Sequence, residues 1–150
     1  MDPIVSVAQM RTLEAAADAN GVTYAAMMAQ AGLALANAIS ERLVSVQDST
    51  ILILVGPGNN GGDGLVAAVA LAQQGAIPKC YFLRPPDEDN PQVQAARSAG
   101  LFMADFENDQ QQRGLKHLTN SADVVIDALF GTGLRLPLPD NAASLLRTVK

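Results

Sequence analysis

The sequence predicts an α/β domain built on a parallel sheet. Two short apolar runs, ILILV at 51–55 and ADVVIDALF at 122–130, read as strands buried on both faces. Segments with helical spacing of apolar residues alternate with the strand-like runs, the order that yields a parallel sheet covered by helices. Both runs lead into glycine-rich turns, GPGNNGGDG at 56–64 and GTG at 131–133. Right-handed crossovers place such turns at the carboxyl edge of the sheet, where ligands bind in this class.

Taken in order, Ser6 and Gln9 form a Ser-x-x-Gln capping box. Val7, Met10, Leu13 and Ala17 then recur at spacings of three and four, an amphipathic helix that Asn20-Gly21 ends. Thr23 caps a second helix whose apolar stripe is Met28, Ala31, Leu35 and Ile39. Gly32 inside it costs ~1 kcal/mol against alanine. Close approach of another element would account for it; a merely imperfect helix is the alternative. After the strand 51–55, LVAAVALAQQG at 65–75 reads as an alanine-rich helix closed by Gly75. KCYFL at 79–83 is the next strand, with Cys80 in the core. PPDEDNP at 85–91 is a loop, and a helix follows from Pro91 to Gly100. LFMAD at 101–105 is a short strand, and Leu115 and Leu118 mark a helix before Ser121. The second buried strand occupies 123–127, and Asp140 caps a last helix running through Val149. No repeat, low-complexity tract or linker divides residues 1–150, which read as a single domain.

The bulk properties exclude several classes. A chain of 150 residues is long enough for one core without disulfides. With 49% apolar and 17% charged residues it is not a disordered chain. A net charge of −5 and the lack of any Lys/Arg run argue against nucleic acid as a partner. The one cysteine, Cys80, fits a reducing compartment. MDPIVSVAQM has no basic segment followed by an apolar one, so no secretory signal is expected. No apolar run approaches the ~18 residues of a membrane span. The expectation is a soluble, cytoplasmic protein with no membrane partner.

Glycine lets backbone approach a ligand closely, and the amides at a helix start favour an anion. Three assignments compete for the first glycine-rich turn. A phosphate-binding P-loop needs G-x-x-x-x-G-K-[ST], and no Gly-Lys-Ser/Thr occurs. Gly56, Gly58 and Gly61 satisfy the G-x-G-x-x-G of a dinucleotide fold by letter. That site also wants an acid at the tip of the next strand, where Leu83-Arg84-Pro85 has none. Arg84 could meet a 2′-phosphate, but Asn59, Asn60 and Asp63 are then unexplained. The third assignment is a polar small-molecule site with a cation. Asn60 offers a neutral oxygen and Asp127 a charged one, both from the same sheet edge; a hard monovalent cation needs several such oxygens. The plainer alternatives are an Asp127 that caps nearby loop amides and an Asn59-Asn60 pair serving only turn chemistry.

GPGNNGGDGLVAA (56–68), with DALFGTGL (127–134) downstream, resembles the NAD(P)H-hydrate epimerase family, also called the YjeF N-terminal domain family. QMRTLEAAA (9–17) and MMAQAGLALA (27–36) resemble its first two helices, so the likeness runs over nearly the whole chain. The resemblance implies a three-layer α/β/α Rossmann-like fold with a mainly parallel sheet and two N-terminal helices. It implies an isomerase that interconverts the R and S epimers of NADHX or NADPHX, the hydrated forms of the reduced nicotinamide cofactors. A separate or fused nucleotide-dependent dehydratase would then remove the water. By the same resemblance, Asn59, Asn60, Gly61, Gly62 and Asp63 line the substrate site, with Gly131, Thr132, Gly133, Leu134, Arg135, Leu136 and Pro137. Asn60 and Asp127 would bind K+, and a homodimer is implied. Asp63 would hydrogen-bond a sugar or ring hydroxyl. Arg135 would offset phosphate charge, the alternative being a solvated loop arginine. No residue is identified as the catalytic acid or base. His117, in a helix before the Asp127 strand, lies away from the carboxyl edge. The family also carries an Asp-Ile-Pro-Ser-Gly-like loop on a further strand, and no D-x-P-S-G occurs here. The expectation is therefore a fold truncated at its C-terminal end and weakly active or inactive alone. A non-catalytic nucleotide-binding or scaffold module of the same fold is the rival reading. Such relatives lose the asparagine and aspartate positions, and here Asn60, Asp63 and Asp127 are all present.

Overall fold

A computed structural model describes residues 4–150; residues 1–3, part of the stretch read for a secretory signal, lie outside the described residues. The chain runs α1 (Val7–Ala19), α2 (Tyr24–Ser40), β1 (Thr50–Val55), α3 (Asn59–Gln73), β2 (Ile77–Phe82), α4 (Pro91–Ser98), β3 (Phe102–Asp105), α5 (Arg113–Asn120), β4 (Val124–Ala128) and α6 (Asp140–Val149). The four strands form one sheet in the order β3-β2-β1-β4, and every pairing is parallel. Ile53 of β1 pairs with Cys80 on one side and Ile126 on the other, which fixes the register of the centre. The connection from β1 leads toward β2 while that from β3 returns to the opposite side of β1. The strand order therefore reverses between β1 and β4, the position where this class binds ligands.

Alternation along β1 divides the core. Ile51, Ile53 and Val55 face a cluster with Ala36 of α2, Leu65 and Leu71 of α3 and Val93 of α4. Leu52 and Leu54 face Tyr81, Leu115 and Leu118 of α5, and Ala142 and Leu145 of α6. The result is helix, sheet, helix, the three layers that the resemblance implied. Cys80 is fully buried, as the sequence predicts for a core residue.

The caps follow the sequence closely at the start of the chain. Ser6 Oγ accepts from the Gln9 amide (3.3 Å) while Gln9 Oε1 accepts from the Ser6 amide (2.8 Å). Thr23 Oγ1 accepts from the Ala26 amide (3.2 Å), and Gly21 and Gly75 take positive φ at the helix ends. Asn90 caps α4 through the amides of Gln92 and Val93, with Pro91 as the first helical residue.

Six details differ from the sequence reading. The stripe Val7, Met10 and Leu13 of α1 is exposed, and no α1 residue is buried. The buried face of α2 is Gly32 and Ala36, one position round from the exposed Ala31. β2 begins at Ile77, because Pro78 needs no ladder amide to sit at the strand's start. β4 is shifted one residue toward Ala128, and Asp140 is the first residue inside α6, Pro139 being the cap. Above all, α3 begins at Asn59: the segment read as a turn through Gly64 is already helical. Its glycines oppose a helix by propensity, yet Gly61, Gly62 and Gly64 are buried, and tertiary contact prevails.

Candidate functional site

At the carboxyl edge, β1 passes through Gly56–Gly58 into α3, and β4 passes through residues 129–139 into α6. The two connections are tied together. The Gly56 amide donates to the Ala128 carbonyl (3.0 Å), extending the ladder by one bond. A Cβ on Gly56 would fall on the Leu129 carbonyl oxygen, and one on Gly61 would fall on the Gly56 carbonyl oxygen. These glycines are required because backbone meets backbone there.

Asn60 is the second residue of α3 and half-buried. Its Nδ2 donates to the Phe130 carbonyl (3.0 Å), and a Cβ on Gly131 would lie 3.3 Å from Asn60 Cβ. One side chain thus joins both glycine-rich connections. With Nδ2 so engaged, Asn60 Oδ1 has no partner among the described residues.

Asp127 is exposed near the end of β4, and its Oδ1 accepts from the Leu129 amide (3.0 Å). The capping role weighed from sequence is therefore present. It occupies one oxygen, and among the described residues the other carries no hydrogen bond. Two free oxygens of the kinds a hard monovalent cation takes thus belong to Asn60 and to the segment Asn60 grips. Among the described residues no group of three or more His, Cys, Asp and Glu side chains converges as a metal site. That excludes the ligand set of a structural zinc site there, and an ion held by neutral oxygens and one carboxylate needs no such group.

Asp63 lies in the first turns of α3, half-buried. Burial, and then the nearby Glu14 carboxylate of α1, hold its carboxyl above the usual range. Glu14 had no local sequence signal marking it as a site neighbour; only the tertiary placement of α1 brings its charge near Asp63. Asn59 is exposed, while Gly61 and Gly62 are buried, Gly62 against Met28 of α2. Residues Gly131 to Pro137 form an exposed arm in which the Leu134 amide closes a turn onto the Gly131 carbonyl (3.2 Å). Thr132, Gly133, Leu134, Arg135 and Leu136 are all open to solvent, and Arg135 has no ion pair among the described residues. His117 is exposed on α5 and takes no part.

α3 has no side-chain cap: its N-cap is Gly58 (φ −102°). The first-turn amides, at the positive end of a 15-residue helix, are left to an outside acceptor. The tip of β2, Leu83-Arg84-Pro85, holds no acid, as the sequence shows; the chain bends at Leu83-Arg84, and Asp87 beyond it lines the same cleft as Gly56 and Arg84.

The family described as YjeF-related protein N-terminus matches residues 24–150. The NAD(P)H-hydrate epimerase of Rhodobacter capsulatus is 34% identical over 152 residues, covering 92% of this chain and 66% of that protein. The bifunctional NAD(P)H-hydrate repair enzyme Nnr of Thermofilum pendens is 34% identical over 140 residues, covering 90% of this chain and 26% of that protein. The NAD(P)H-hydrate epimerase of Schizosaccharomyces pombe is 32% identical over 125 residues, covering 82% of this chain and 50% of that protein. The chain thus spans from 26% to 66% of the length of these three relatives. The crystal structure of yeast ynu0 superposes with a TM-score of 0.70 at 20% identity, covering 92% of this chain and 62% of that one, which shows a shared fold.

Proposed function

We propose, from the premise that this chain belongs to the YjeF-related protein N-terminus family, that it is an NAD(P)H-hydrate epimerase acting in cofactor repair. The substrate is NADHX or NADPHX, and the reaction exchanges the R and S configurations at the hydrated carbon of the nicotinamide ring. The observation that carries this is the Asn60 bridge, which sets Asn60, Asp63 and the Asp127 segment at the switch point of the sheet.

The geometry supports the following division of labour. The uncapped first turn of α3 receives the pyrophosphate, since its free amides and helix dipole favour an anion. Gly61 and Gly62 contribute backbone to that turn, and the exposed arm Gly131–Pro137 covers the pyrophosphate, with Arg135 adding positive charge. Epimerisation requires the ring hydroxyl to leave and return on the other face, or the ring to open. Either route needs proton transfer at that oxygen, worth ~10²–10⁴-fold in rate. Asp63, whose carboxyl burial and then Glu14 hold above the usual range, hydrogen-bonds the hydroxyl. Asn60 Oδ1 and the free oxygen of Asp127 would hold potassium, which would supply a fixed positive charge for the substrate's oxygens. The reading extends to a cytoplasmic setting, a nucleotide-dependent dehydratase as the next enzyme, and a second copy of the chain as partner; Val7, Met10 and Leu13 of α1 expose an apolar face for the last. Among the described residues no single helix is long and apolar enough to cross a membrane.

The test is a coupled assay. An R/S mixture of NADHX is given to an S-specific dehydratase with and without this protein, in potassium and in potassium-free buffer. An epimerase lets the dehydratase consume the whole pool. Persistence of the R epimer beside a correctly folded chain would sink the reading and leave a binding or scaffold module.

A further inference from the structure

Asn60, Asp127 and the Gly131–Pro137 arm lie on the β4 side of the glycine-rich turn, and on its other side is a cleft that Gly61 and Gly62 also line. It has a volume of about 150 Å³ and lies between the tips of β1 and β2 and the start of α4. Gly56, Gly58, Arg84, Asp87, Asn90 and Val93 are among its walls. Whole-ligand pockets run ~300–1,000 Å³, so this cleft suits one part of a dinucleotide laid along the open sheet edge. We propose that this cleft holds the adenosine half of the hydrated dinucleotide, with Asp87 accepting from the ribose 2′- and 3′-hydroxyls, so that the unphosphorylated substrate, NADHX, is preferred. The proposal rests on the epimerase reading for the identity of the substrate.

The path follows from topology. A dinucleotide laid across the switch point has its pyrophosphate over the start of α3 and its two halves on opposite sides of β1. If the hydrated ring lies toward Asn60 and Asp127 on β4, the adenosine falls toward β2. A Cβ on Gly58 would meet nothing within 4 Å, so the backbone leaves that passage clear.

Charge decides between the two ribose forms. In folds of this class an acid near the β2 tip binds a ribose diol, while an arginine there accepts a 2′-phosphate. The cleft has one of each. Asp87 Oδ1 accepts from the Asp89 amide (3.0 Å), a local turn that fixes the side chain and leaves its second oxygen for a hydroxyl. The rest of the loop tips the balance against added negative charge. Glu88 and Asp89 flank Asp87, and Arg97 is taken by Glu88 (2.6 Å). With Glu88 paired to Arg97, Arg84 is left with Asp87 in the cleft and Asp89 beside it, so a phosphate monoester would meet two unpaired carboxylates for one guanidinium. Arg84 is exposed and, among the described residues, makes no ion pair, free to lie flat on an adenine ring.

The experiment compares NADHX with NADPHX on the wild-type chain and on Asp87→Asn. Asparagine keeps the oxygen that accepts from Asp89, so the loop retains its turn. The wild type is expected to prefer NADHX. The variant should lose roughly ten- to hundredfold in kcat/KM for NADHX, the worth of a charged hydrogen bond, with NADPHX unchanged or improved. A wild type that prefers NADPHX, or an Asp87→Asn that moves both substrates equally or neither, overturns the proposal and leaves the epimerase reading standing. If the wild type epimerises neither substrate, that reading has failed. Amide chemical shifts on addition of ADP-ribose then decide the cleft separately: movement at Gly58, Arg84 and Val93 upholds it, and stationary signals there end it.

Discussion

Replacing Gly32 by alanine sets two effects against each other, and the structure says which wins. By helix propensity alone the change should stabilise α2 by ~1 kcal/mol. Against that, a Cβ at Gly32 would lie 2.5 Å from both Cβ and Cγ1 of Val66 and 2.8 Å from the Asp63 carbonyl oxygen. Carbon atoms in contact sit about 3.5–4.0 Å apart, so α2 and α3 would have to separate by about 1 Å. Neither obstacle is the loose end of a long side chain. One is a backbone carbonyl within a helix, and the other is a β-branched residue with a single preferred rotamer. Overpacking of this kind costs roughly 1–3 kcal/mol. After the propensity gain the net loss is up to ~2 kcal/mol, which at the upper end lowers Tm by roughly 4–8 °C for a chain of this size. Urea unfolding followed by circular dichroism should show a lower midpoint at an unchanged m value. In the double variant Gly32→Ala/Val66→Ala, Cγ1 is gone but the Val66 Cβ position and the Asp63 carbonyl remain, so recovery should be partial. A Gly32→Ala chain more stable than wild type would refute the close approach.

Asp63→Asn should raise stability at neutral pH and leave it nearly unchanged near pH 3.5. The fold holds the Asp63 proton above its ordinary value, so between the unfolded and folded pKa the native state binds more protons and stability falls as pH rises. A Tm difference that does not depend on pH would contradict this. Asn60→Ala should cost ~1 kcal/mol for the lost bond to Phe130 and quicken amide exchange across Gly131–Leu134; unchanged protection there would mean that Asn60 does not anchor the arm. Asp127→Asn keeps an oxygen for the Leu129 amide, so it should fold normally and lose potassium activation, and an unaltered potassium response removes Asp127 from the ion. Burial pushes the Cys80 thiol up to about 12, so iodoacetamide should leave the native protein unlabelled at pH 8 and modify it only as it unfolds.

The strands were legible because a run such as ILILV has few other uses, and its register with KCYFL and VVIDA follows once all are parallel. Caps at Ser6 and Thr23 were legible because the bonding is local. What local sequence did not show is where tertiary contact overrides propensity. GPGNNGGDG reads as a turn by composition, but contacts from Met28, Ala128 and Gly56 let its second half wind as α3. Periodicity marked α1 as a helix correctly, yet it names a face without saying what covers it, and Val7, Met10 and Leu13 are exposed. The site residues Asn60 and Asp127 were readable as oxygen donors at one sheet edge. Their coupling through the Phe130 carbonyl was not, since a backbone acceptor leaves no trace in residue identity.

The glycines of the first turn have a consequence for how proteins of this kind can diverge. Gly56, Gly61, Gly62 and Gly64 are each hemmed in by the protein's own atoms: the Leu129 carbonyl, the Gly56 carbonyl, the Met28 thioether and the Ala128 methyl. They make room for architecture before they make room for any ligand. A descendant that abandoned the chemistry would still need them in order to fold, while Asn60, Asp63 and Asp127 would be free to drift. The glycine pattern is thus a marker of shape that outlives activity, and the polar residues set among it are the record of whether the chemistry is still there.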